Sequence, residues 1–564
     1  MKYSGAQIIW ESLLKEGVDV IFGFPGGNTI PIHDALLDYP GIRHILVRHE
    51  QGAAHAADGY ARVSGKVGVC LATSGPGATN LVTGIATAML DSTPMVAITG
   101  QVFSHLIGSD AFQEVDVTGI TLPITKHNYL VTDVNEISRT IHEAFYIARS
   151  GRPGPVLIDI TKDAQVAQIE WDPAYEESIR LPGYRPDLRP SMNDFEQAAK
   201  MIAAAERPVI LAGQGILKSG AMSWVRELAE KTDTPVATTL LGIGAFPASH
   251  PLNLGMMGMH GEAWVNHTIQ NADLLLALGM RFDDRVTGSL STYAPNSKKI
   301  HFELDPSEVN KNVRVDLALI GDLSELLQKL VPNLPQKTHT SWNEEINKLR
   351  SESALRDILY TPDNGRLYAA HIMHDILRAT QGKAVIVTDV GQHQMWAAQY
   401  YKHDYPYHMV TSGGLGTMGF GLPAAIGAKM ADQEAEVWVI AGDGGFQMTQ
   451  AELSTTVQAG IKVNVAIINN GYLGMVRQWQ ELFYDRRYSA TPITSPDFVK
   501  IAEAHGLTGL RATNRKEAVE AIDTARATPG TVVIDFRIEP EDCVYPMVPA
   551  GAALHKMIRR PMAQ

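Results

Sequence analysis

Short apolar runs without a charged residue recur along the whole chain, each followed by glycine or a polar turn and then by a helical pattern. The clearest are Gly68–Thr73, Met95–Thr99, Val209–Ala212, Leu274–Leu278, Val385–Thr388, Val437–Ala441 and Val463–Ile468. Runs of this kind are typical of parallel strands buried on both faces in βα units. Because such crossovers are almost always right-handed, the pattern predicts an α/β protein with doubly wound parallel sheets.

Two stretches interrupt this alternation. Trp171–Met192 and Val331–Glu344 are rich in proline and charge and lack periodicity, which is typical of linkers. A chain of 564 residues, at about 150 per domain, has room for three or four domains. We therefore predict domains at 1–170, 193–335 and 365–564, the last ending in an arm over Glu539–Gln564.

Composition narrows the class of protein. Apolar residues make up 45% and charged residues 19%, which suits large buried cores, and no long uncharged apolar run predicts a membrane span. The net charge of −13, without a basic cluster, argues against nucleic acid as a partner. The amphipathic start lacks the features of a signal peptide, and Cys70 and Cys543 are too few for a disulfide framework. These features predict a soluble, cytoplasmic protein.

The strongest motif is Gly442–Phe446, which follows a predicted strand, together with Asn469–Tyr472 after the next one. Asp443 and Asn470 are 27 residues apart, and both are expected at the carboxyl edge of one sheet, where a helix N-terminus can bind a diphosphate. A carboxylate, an amide oxygen and a backbone carbonyl, with phosphate oxygens and water, can complete the octahedron that Mg²⁺ requires. The alternative is a glycine-rich turn followed by an ordinary hairpin.

This motif pair resembles the thiamine diphosphate signature of the pyruvate decarboxylase and acetohydroxyacid synthase superfamily. The resemblance implies that Asp443, Asn470 and the carbonyl of Tyr472 bind Mg²⁺. It also places the diphosphate of the cofactor at the helix start formed by Gly444 and Gly445.

A second segment, Arg48–Ala54, places Glu50 after a strand-like run and before several small residues. Close helix packing there would crowd Glu50 at a sheet edge, where a buried carboxyl needs a partner for its proton. The resemblance implies that Glu50 is the glutamate that activates thiamine diphosphate. The alternative is a surface glutamate in a salt bridge, whereas His55 is too far along the chain to complete a His-Glu-x-x-His zinc site.

The segment Thr411–Pro423 is unusually rich in glycine, which indicates positive φ angles or close approach of the backbone to a ligand. By resemblance, the Gly416 carbonyl meets the aminopyrimidine ring and Met418 is wedged between the two rings of the cofactor. Upstream, Gln392, His393 and Gln394 resemble a second loop that contacts the diphosphate. A merely flexible glycine loop is the alternative for either segment.

The central region carries Gly213 and Gly215 after a strand, which alone is a weak dinucleotide signal. Gly279–Gly288 and Ile300–Asp305 are more specific, because they resemble the FAD-binding segments of the acetohydroxyacid synthases. The resemblance implies FAD contacts for Arg285, Asp305 and Asp322.

Segments that determine the substrate also match this family. Two segments match the family pattern fully, Ala111–Glu114 and Met475–Gln480. A third segment, Pro549-Ala550-Gly551, differs at one residue from the Pro-Pro-Gly expected in this family. By resemblance, the residues that bind and select the 2-oxoacids are Phe112, Gln113, Arg281, Met475 and Trp479. The resemblance covers the whole chain. It implies decarboxylation of pyruvate and carboligation to a second 2-oxoacid, a homodimer or homotetramer with shared active sites, and a separate regulatory small subunit.

Three alternatives stay open from the sequence. A pyruvate oxidase would use FAD as an electron acceptor. A glyoxylate carboligase belongs to a family that lacks the activating glutamate. A non-catalytic paralogue would be expected to lose Asp443, Asn470 or Glu50, and all three are intact.

Overall fold

A computed structural model describes residues 2–174, 179, 181–186, 188–360 and 364–562. It contains three six-stranded sheets whose strands are all parallel, so the predicted α/β class is confirmed. A short antiparallel ribbon, which the sequence did not predict, joins the two ends of the first unit. In the described part of the chain, none of the helices has both the length and the apolar character that crossing a membrane requires.

The N-terminal unit comprises β1 (Lys2–Ser4), α1 (Gly5–Lys15), β2 (Val20–Phe24), α2 (Ile30–Leu36), β3 (Arg43–Leu46), α3 (Glu50–Ser64), β4 (Gly68–Ala72), α4 (Pro76–Asn80), α5 (Val82–Leu90), β5 (Met95–Gln101), α6 (Val117–Thr121), β6 (His127–Val131), α7 (Ile137–Arg149), β7 (Pro155–Thr161), α8 (Lys162–Val166) and β8 (Gln168–Glu170).

The central unit comprises α9 (Met192–Ala204), β9 (Pro208–Ala212), α10 (Gly215–Lys218), α11 (Met222–Thr232), β10 (Val236–Thr238), β11 (Asn253–Met256), α12 (Ala263–Asn271), β12 (Leu274–Leu278), α13 (Asp284–Thr287), β13 (Lys298–Glu303), β14 (Leu317–Ile320), α14 (Leu323–Leu330) and α15 (Thr340–Ala354).

The C-terminal unit comprises α16 (Ala369–Thr380), β15 (Val385–Thr388), α17 (Gln392–Tyr400), β16 (Met409–Val410), α18 (Gly421–Ala431), β17 (Val437–Gly442), α19 (Asp443–Thr449), α20 (Leu453–Ala459), β18 (Asn464–Asn469), α21 (Gly474–Phe483), α22 (Phe498–Ala504), β19 (Thr508–Ala512), α23 (Arg515–Ala527) and β20 (Val532–Arg537).

Strand order shows where each sheet can bind a ligand. The N-terminal sheet runs β3-β2-β4-β5-β7-β6 and the C-terminal sheet runs β16-β15-β17-β18-β20-β19, which is the same topology. The central sheet runs β11-β10-β9-β12-β13-β14, the order typical of dinucleotide-binding sheets. Ligands bind beyond the carboxyl ends of the strands where the order reverses. The order reverses between β2 and β4 in the N-terminal sheet, between β9 and β12 in the central sheet, and between β15 and β17 in the C-terminal sheet.

The predicted strands are found within two residues of their expected bounds, and Leu274–Leu278 and Val385–Thr388 match fully. The predicted linker Val331–Glu344 is wrong in its second half, because α15 begins at Thr340. The Trp342 side chain is buried and donates its indole N–H to the Pro208 carbonyl (3.2 Å), so one large anchor fixes a polar helix to the central unit. The other predicted linker, Trp171–Met192, lies partly outside the described residues.

The C-terminal arm is more firmly packed than its sequence suggested. Val548 and Leu554 are buried in one apolar cluster with Phe282 and Val286 of the central unit. Val548 also donates its N–H to the Met259 carbonyl (2.9 Å). The arm therefore covers part of the central unit.

Helices α3 and α18 hold the N-terminal and C-terminal units together. A Cβ at Gly59 would lie 2.0 Å from the Ala424 carbonyl oxygen, and one at Gly427 would lie 1.8 Å from that of Ala56. Side chains larger than hydrogen would separate the helices at both points. The small residues behind Glu50 thus allow the close helix packing that the sequence predicted.

Candidate active site

Asp443 is the first residue of α19, directly beyond β17 at the switch point of the C-terminal sheet. Its Oδ2 accepts hydrogen bonds from the Ser495 hydroxyl (2.8 Å) and the Gly471 amide (3.2 Å). The side chain is buried, and burial raises the pKa of Asp443, partly opposed by these neutral donors. A buried carboxylate supported only by neutral donors is suited to a bound cation.

Asn470 follows β18 and lies at the same edge. Its Oδ1 accepts from the Tyr472 amide (3.1 Å) and its Nδ2 donates to Gln392 Oε1 (3.1 Å). Gln392 in turn donates to Gln478 Oε1 (2.9 Å). The bond from Gly471 to Asp443 joins this turn to the start of α19, so the predicted metal-binding residues do come together.

The donor set fits Mg²⁺ better than a transition metal. Among the described residues, no group of three or more His, Cys, Asp or Glu side chains could hold a metal ion by itself. Asp443, Asn470 and a backbone carbonyl supply hard oxygens that leave positions for phosphate and water, which is how Mg²⁺ is usually bound.

His393 supplies an unpaired polar atom at this edge. Burial lowers the pKa of His393 to about 3, so the ring is neutral, and its Nε2 is buried without a hydrogen-bond partner. A Cβ at Gly442 would lie 2.8 Å from the ring, and one at Gly391 2.9 Å, so glycine is required on both sides. A ring nitrogen in this position fits a ligand that brings its own polar group.

Gln394 has a different environment. Its Nε2 donates to the Thr411 hydroxyl (2.7 Å) and to the Ser412 carbonyl (3.1 Å). These bonds fix the start of Thr411–Gly419, called here the glycine loop. Within the loop, Gly416 and Gly419 have φ of 70° and 88°, a conformation that favours glycine.

The sequence prediction missed Asp389, which anchors the other end of the glycine loop. Its carboxylate accepts from the amides of Gly419 (3.0 Å) and Gly421 (3.0 Å). A Cβ at Gly445 would lie 2.2 Å from Asp389 Oδ1, so the start of α19 also packs on this carboxylate. Its position directly after β15, like that of Asp443 after β17, was a signal that the sequence offered.

Met418 belongs to the glycine loop and faces the start of α19. Its terminal methyl carbon is 3.8 Å from the Cβ position of Gly444, so the side chain reaches over the start of α19. The structure thus places the Met418 side chain near Gly444, which directly follows Asp443.

Glu50 begins α3 in the N-terminal unit. It is 9% exposed, and its Oε2 accepts from Asn80 Nδ2 (2.9 Å). Glu452 of the C-terminal unit, which the sequence prediction also missed, accepts from the amides of Arg48 and His49 (both 3.1 Å) and so fixes the turn before Glu50. His55 is fully buried against Phe420, and burial lowers the pKa of His55 to about 3.

Gln113 and Phe112 lie on a loop of the N-terminal unit. Gln113 has φ of 60°, a strained conformation for a side chain of this kind, and its backbone touches Gly75. The Glu114 carboxylate accepts from the amides of Gly108 and Ala111 and thereby closes the loop. Phe112 is 87% exposed, which leaves a large apolar surface free in the single chain.

Helix α21 presents two different faces. Arg477 and Gln478 are buried, and Gln478 exchanges hydrogen bonds with the backbone of Val544 in the arm (2.8 and 3.0 Å). Trp479 is half-buried with its ring 5.4 Å from that of Phe483. Met475 packs against the core of the C-terminal unit, so it has at least a partly structural role.

The two predicted glycines of the central unit, Gly213 and Gly215, lie at its switch point. Gly213, after β9, lies so close to Gly279, after β12, that a Cβ on it would be 2.2 Å from the Gly279 oxygen. Arg281 follows on the same turn and is half-buried. Gly215 touches Gly279 as well, and Arg285 lines a cavity of about 260 Å³ beside the arm.

Asp305 and Asp322 have local structural partners. Asp305 Oδ1 accepts from the Ser307 amide (2.9 Å), and its Oδ2 forms an ion pair with Arg152 of the N-terminal unit (3.3 Å). Asp322 caps α14 through the Glu325 amide (3.1 Å). Each of these roles can coexist with a ligand contact, because a carboxylate has more acceptor positions than these bonds use.

Three family models match the three units. The N-terminal and C-terminal TPP binding domains of thiamine pyrophosphate enzymes match residues 3–120 and 389–536, and the central domain of these enzymes matches residues 195–330. The matches agree with the division of the chain into three sheets.

Curated relatives resemble the chain over nearly its whole length. An acetolactate synthase of Mycobacterium bovis is 50% identical, covering 98% of this chain and 90% of its own length. The acetolactate synthase large subunit of Corynebacterium glutamicum is 48% identical over 98% and 89%. The isozyme 2 large subunit of Escherichia coli K12 is 45% identical over 99% and 100%. On these similarities, the chain belongs to the acetolactate synthase large-subunit family of thiamine pyrophosphate enzymes.

Proposed function

We propose that the protein is an acetolactate synthase that decarboxylates pyruvate and joins the two-carbon unit to a second 2-oxoacid. With pyruvate or 2-oxobutyrate as acceptor, the products are 2-acetolactate or 2-aceto-2-hydroxybutyrate, the precursors of branched-chain amino acids. The observation that carries this proposal is the match to acetolactate synthases over 98% of the chain.

Asp443, Asn470 and the Tyr472 carbonyl are the proposed Mg²⁺ ligands. Their convergence through the Gly471 amide supports this assignment. The bound ion would neutralise the cofactor diphosphate, with His393 and the start of α19 at Gly444 and Gly445 as further contacts. Gln392 holds the amide of Asn470 and so orients its oxygen.

Thiamine diphosphate, when bound, supplies an electron sink for decarboxylation. The proposed role of Glu50 is to hold and return a proton at the pyrimidine ring. Its limited exposure and its hydrogen bond to Asn80 support a fixed position. The Gly416 carbonyl and the Met418 side chain would set the position and bend of the cofactor.

The central unit is the proposed FAD site. Its strand order is that of dinucleotide-binding sheets. Gly213, Asp305 and Asp322 lie on the turns beyond its strands, and Gly215 and Arg285 lie on the short helices α10 and α13 that follow β9 and β12. FAD would be structural in the main reaction, because decarboxylation and carboligation involve no net electron transfer.

Phe112, Gln113, Arg281, Met475 and Trp479 are the proposed substrate residues. The 87% exposure of Phe112 fits an active site that is completed by a second subunit, so a homodimer or homotetramer is the proposed assembly. Because relatives are named large subunits, we also propose a separate small regulatory subunit. Both cysteines are free and buried, in keeping with a reducing compartment such as the cytoplasm.

Product analysis tests the proposal. The protein is incubated in phosphate buffer with pyruvate, thiamine diphosphate, Mg²⁺ and FAD, with and without oxygen, and acetolactate, acetyl phosphate and hydrogen peroxide are measured. We expect acetolactate, formed without oxygen and also with a redox-silent flavin analogue. Oxygen-dependent peroxide with acetyl phosphate would instead establish the oxidase reaction, which the relatives do not favour.

A further inference from the structure

A buried ion cluster joins the N-terminal unit to the glycine loop. It consists of Asp58 and Arg62 on α3 and Asp91 directly after α5. The Arg62 guanidinium pairs with Asp58 and with Asp91 (2.8 Å), and the three side chains are at most 6% exposed. Taking three charged groups out of water is costly, so an arrangement of this kind calls for a specific role.

The buried ion cluster binds the backbone of the glycine loop directly. Asp91 Oδ2 accepts from the Gly413 amide (3.0 Å) and its Oδ1 accepts from the Gly414 amide (2.6 Å). Arg62 Nη1 donates to the Thr411 carbonyl (2.8 Å). These bonds leave almost no space at Gly414, where a Cβ would lie 2.7 Å from Asp91 Oδ1.

The glycine loop needs this support because most of its middle lacks side chains. Its ends are held within the C-terminal unit by Gln394 and Asp389, as described above. Between these anchors, Gly413, Gly414 and Gly416 offer only backbone groups. Thr417 donates its amide to the Ser412 hydroxyl within the loop (3.1 Å), and its hydroxyl bonds to that of Thr87 in the N-terminal unit (2.7 Å). The middle of the loop is therefore positioned from the N-terminal unit.

Charge balance keeps the buried ion cluster intact. Burial opposes the charge on Arg62, but the carboxylates of Asp58 and Asp91 outweigh it and raise the pKa of the guanidinium. Lys218 of α10 adds a second cation nearby, and burial lowers the pKa of Lys218 to about 8, helped by the charge of Arg62. A cation of the central unit is thus close enough to interact electrostatically with the buried ion cluster.

We infer that Asp91, with Arg62, is a positioning residue that holds the glycine loop, and through it the Gly416 carbonyl and Met418, in place for the cofactor. The inference rests on the proposed function for what the loop positions. A displacement of about 1 Å at a reacting group can cost about a hundredfold in rate. Helix α3 also carries Glu50 at its other end, about 18 Å from Arg62, so one rigid element connects both features.

The test compares Asp91→Asn with Asp58→Asn. Each variant removes one of the two carboxylates that pair with Arg62 and leaves the other, but only Asp91 bonds to the glycine loop. Amide hydrogen exchange of residues 409–420 is measured on the apo protein, and thiamine diphosphate affinity by fluorescence titration.

We expect Asp91→Asn to accelerate exchange at Gly413 and Gly414 and to weaken cofactor binding by about ten- to a hundredfold, whereas Asp58→Asn leaves both near wild type. The turnover number should fall more than the KM for pyruvate changes. Equal exchange and equal cofactor affinity in the two variants would overturn the inference and make the cluster purely structural.

Two further outcomes are covered by additional measurements. If Asp91→Asn fails to fold, Thr87→Val removes one hydroxyl contact of the loop without touching the ions, and it should raise exchange at Thr417. If the wild type makes no acetolactate while Asp91→Asn still raises loop exchange and weakens cofactor binding, the proposed function fails and the positioning role stands.

Discussion

At the scale of single residues, Asp443 is the one anionic side chain proposed for the metal site. We predict that Asp443→Asn weakens Mg²⁺ and thiamine diphosphate binding together, by more than about tenfold, because charge balance is lost with the ligand. Titration of each cofactor against the apo protein measures this. Asp497→Asn, an exposed carboxylate paired with Arg511, is the control. Unchanged affinity in Asp443→Asn would remove it from the metal site.

Glu50 leads to a prediction about proton transfer. Glu50→Gln should keep the fold and the metal, because the amide can still accept from Asn80. Turnover should fall by about a hundred- to ten-thousandfold. The rate at which the reactive carbon of bound thiamine diphosphate exchanges its proton with deuterated solvent, followed by NMR, reports the step directly. A wild-type exchange rate in the variant would mean that another group activates the ring.

Asp159 makes stability depend on pH. It accepts from Thr99 (2.7 Å) and Gln101 (2.9 Å), and burial raises its pKa from 3.8 to about 7. At this carboxyl, the folded protein keeps a proton that the unfolded chain has lost between about pH 4 and 7, so the contribution of Asp159 to stability falls as pH rises through this range. Asp159→Asn should remove this contribution, so its melting temperature relative to that of the wild type should increase with pH, whereas the exposed Asp133→Asn should not show this trend. An unchanged slope in Asp159→Asn would contradict the prediction.

At the scale of elements, α21 separates a structural face from a candidate acceptor face. Arg477 and Gln478 bind the arm, while Trp479 is half-buried and Phe483 is exposed on another side. A rigid indole there could distinguish a methyl from an ethyl group, a difference of about 1–3 kcal/mol in an apolar pocket. We predict that Trp479→Leu reduces the preference for 2-oxobutyrate over pyruvate, with only a modest fall in melting temperature.

Competition between the two 2-oxoacids, with both products quantified, measures this preference. Phe483→Leu is the matched control one turn away, and it should largely keep the wild-type ratio. A constant product ratio with a large drop in melting temperature would make Trp479 a core residue.

At the scale of the whole molecule, the arm links the C-terminal and central units. Leu554 is buried with Phe282 and Val286, on the segment proposed to bind FAD. Leu554→Ala should cost about 2–5 kcal/mol of stability and release FAD more readily while thiamine diphosphate affinity stays near wild type. Calorimetry and the flavin content of purified protein test this against Met562→Ala, which is 58% exposed. Full flavin retention in Leu554→Ala would separate the arm from the FAD site.

The sequence by itself determined the α/β class and most strands, because fully buried parallel strands read as uncharged apolar runs. It also indicated Asp443 and Asn470, since motifs at strand ends meet at one sheet edge. Strand positions and the motifs that directly follow strands can be read from residues close together in the sequence. Their roles, like those of Glu50 and the FAD residues, stay predictions that the experiments above address.

Only the tertiary structure revealed Glu452 and the pairing of Arg62 with Asp91. Each is a charged residue without a motif, and its partner is a backbone amide or carbonyl up to about 400 residues away in sequence. The sequence also did not predict that Trp342 anchors α15 or that Leu554 anchors the arm. Burial of a charge or an anchor depends on what packs against it, and no local pattern encodes that neighbour.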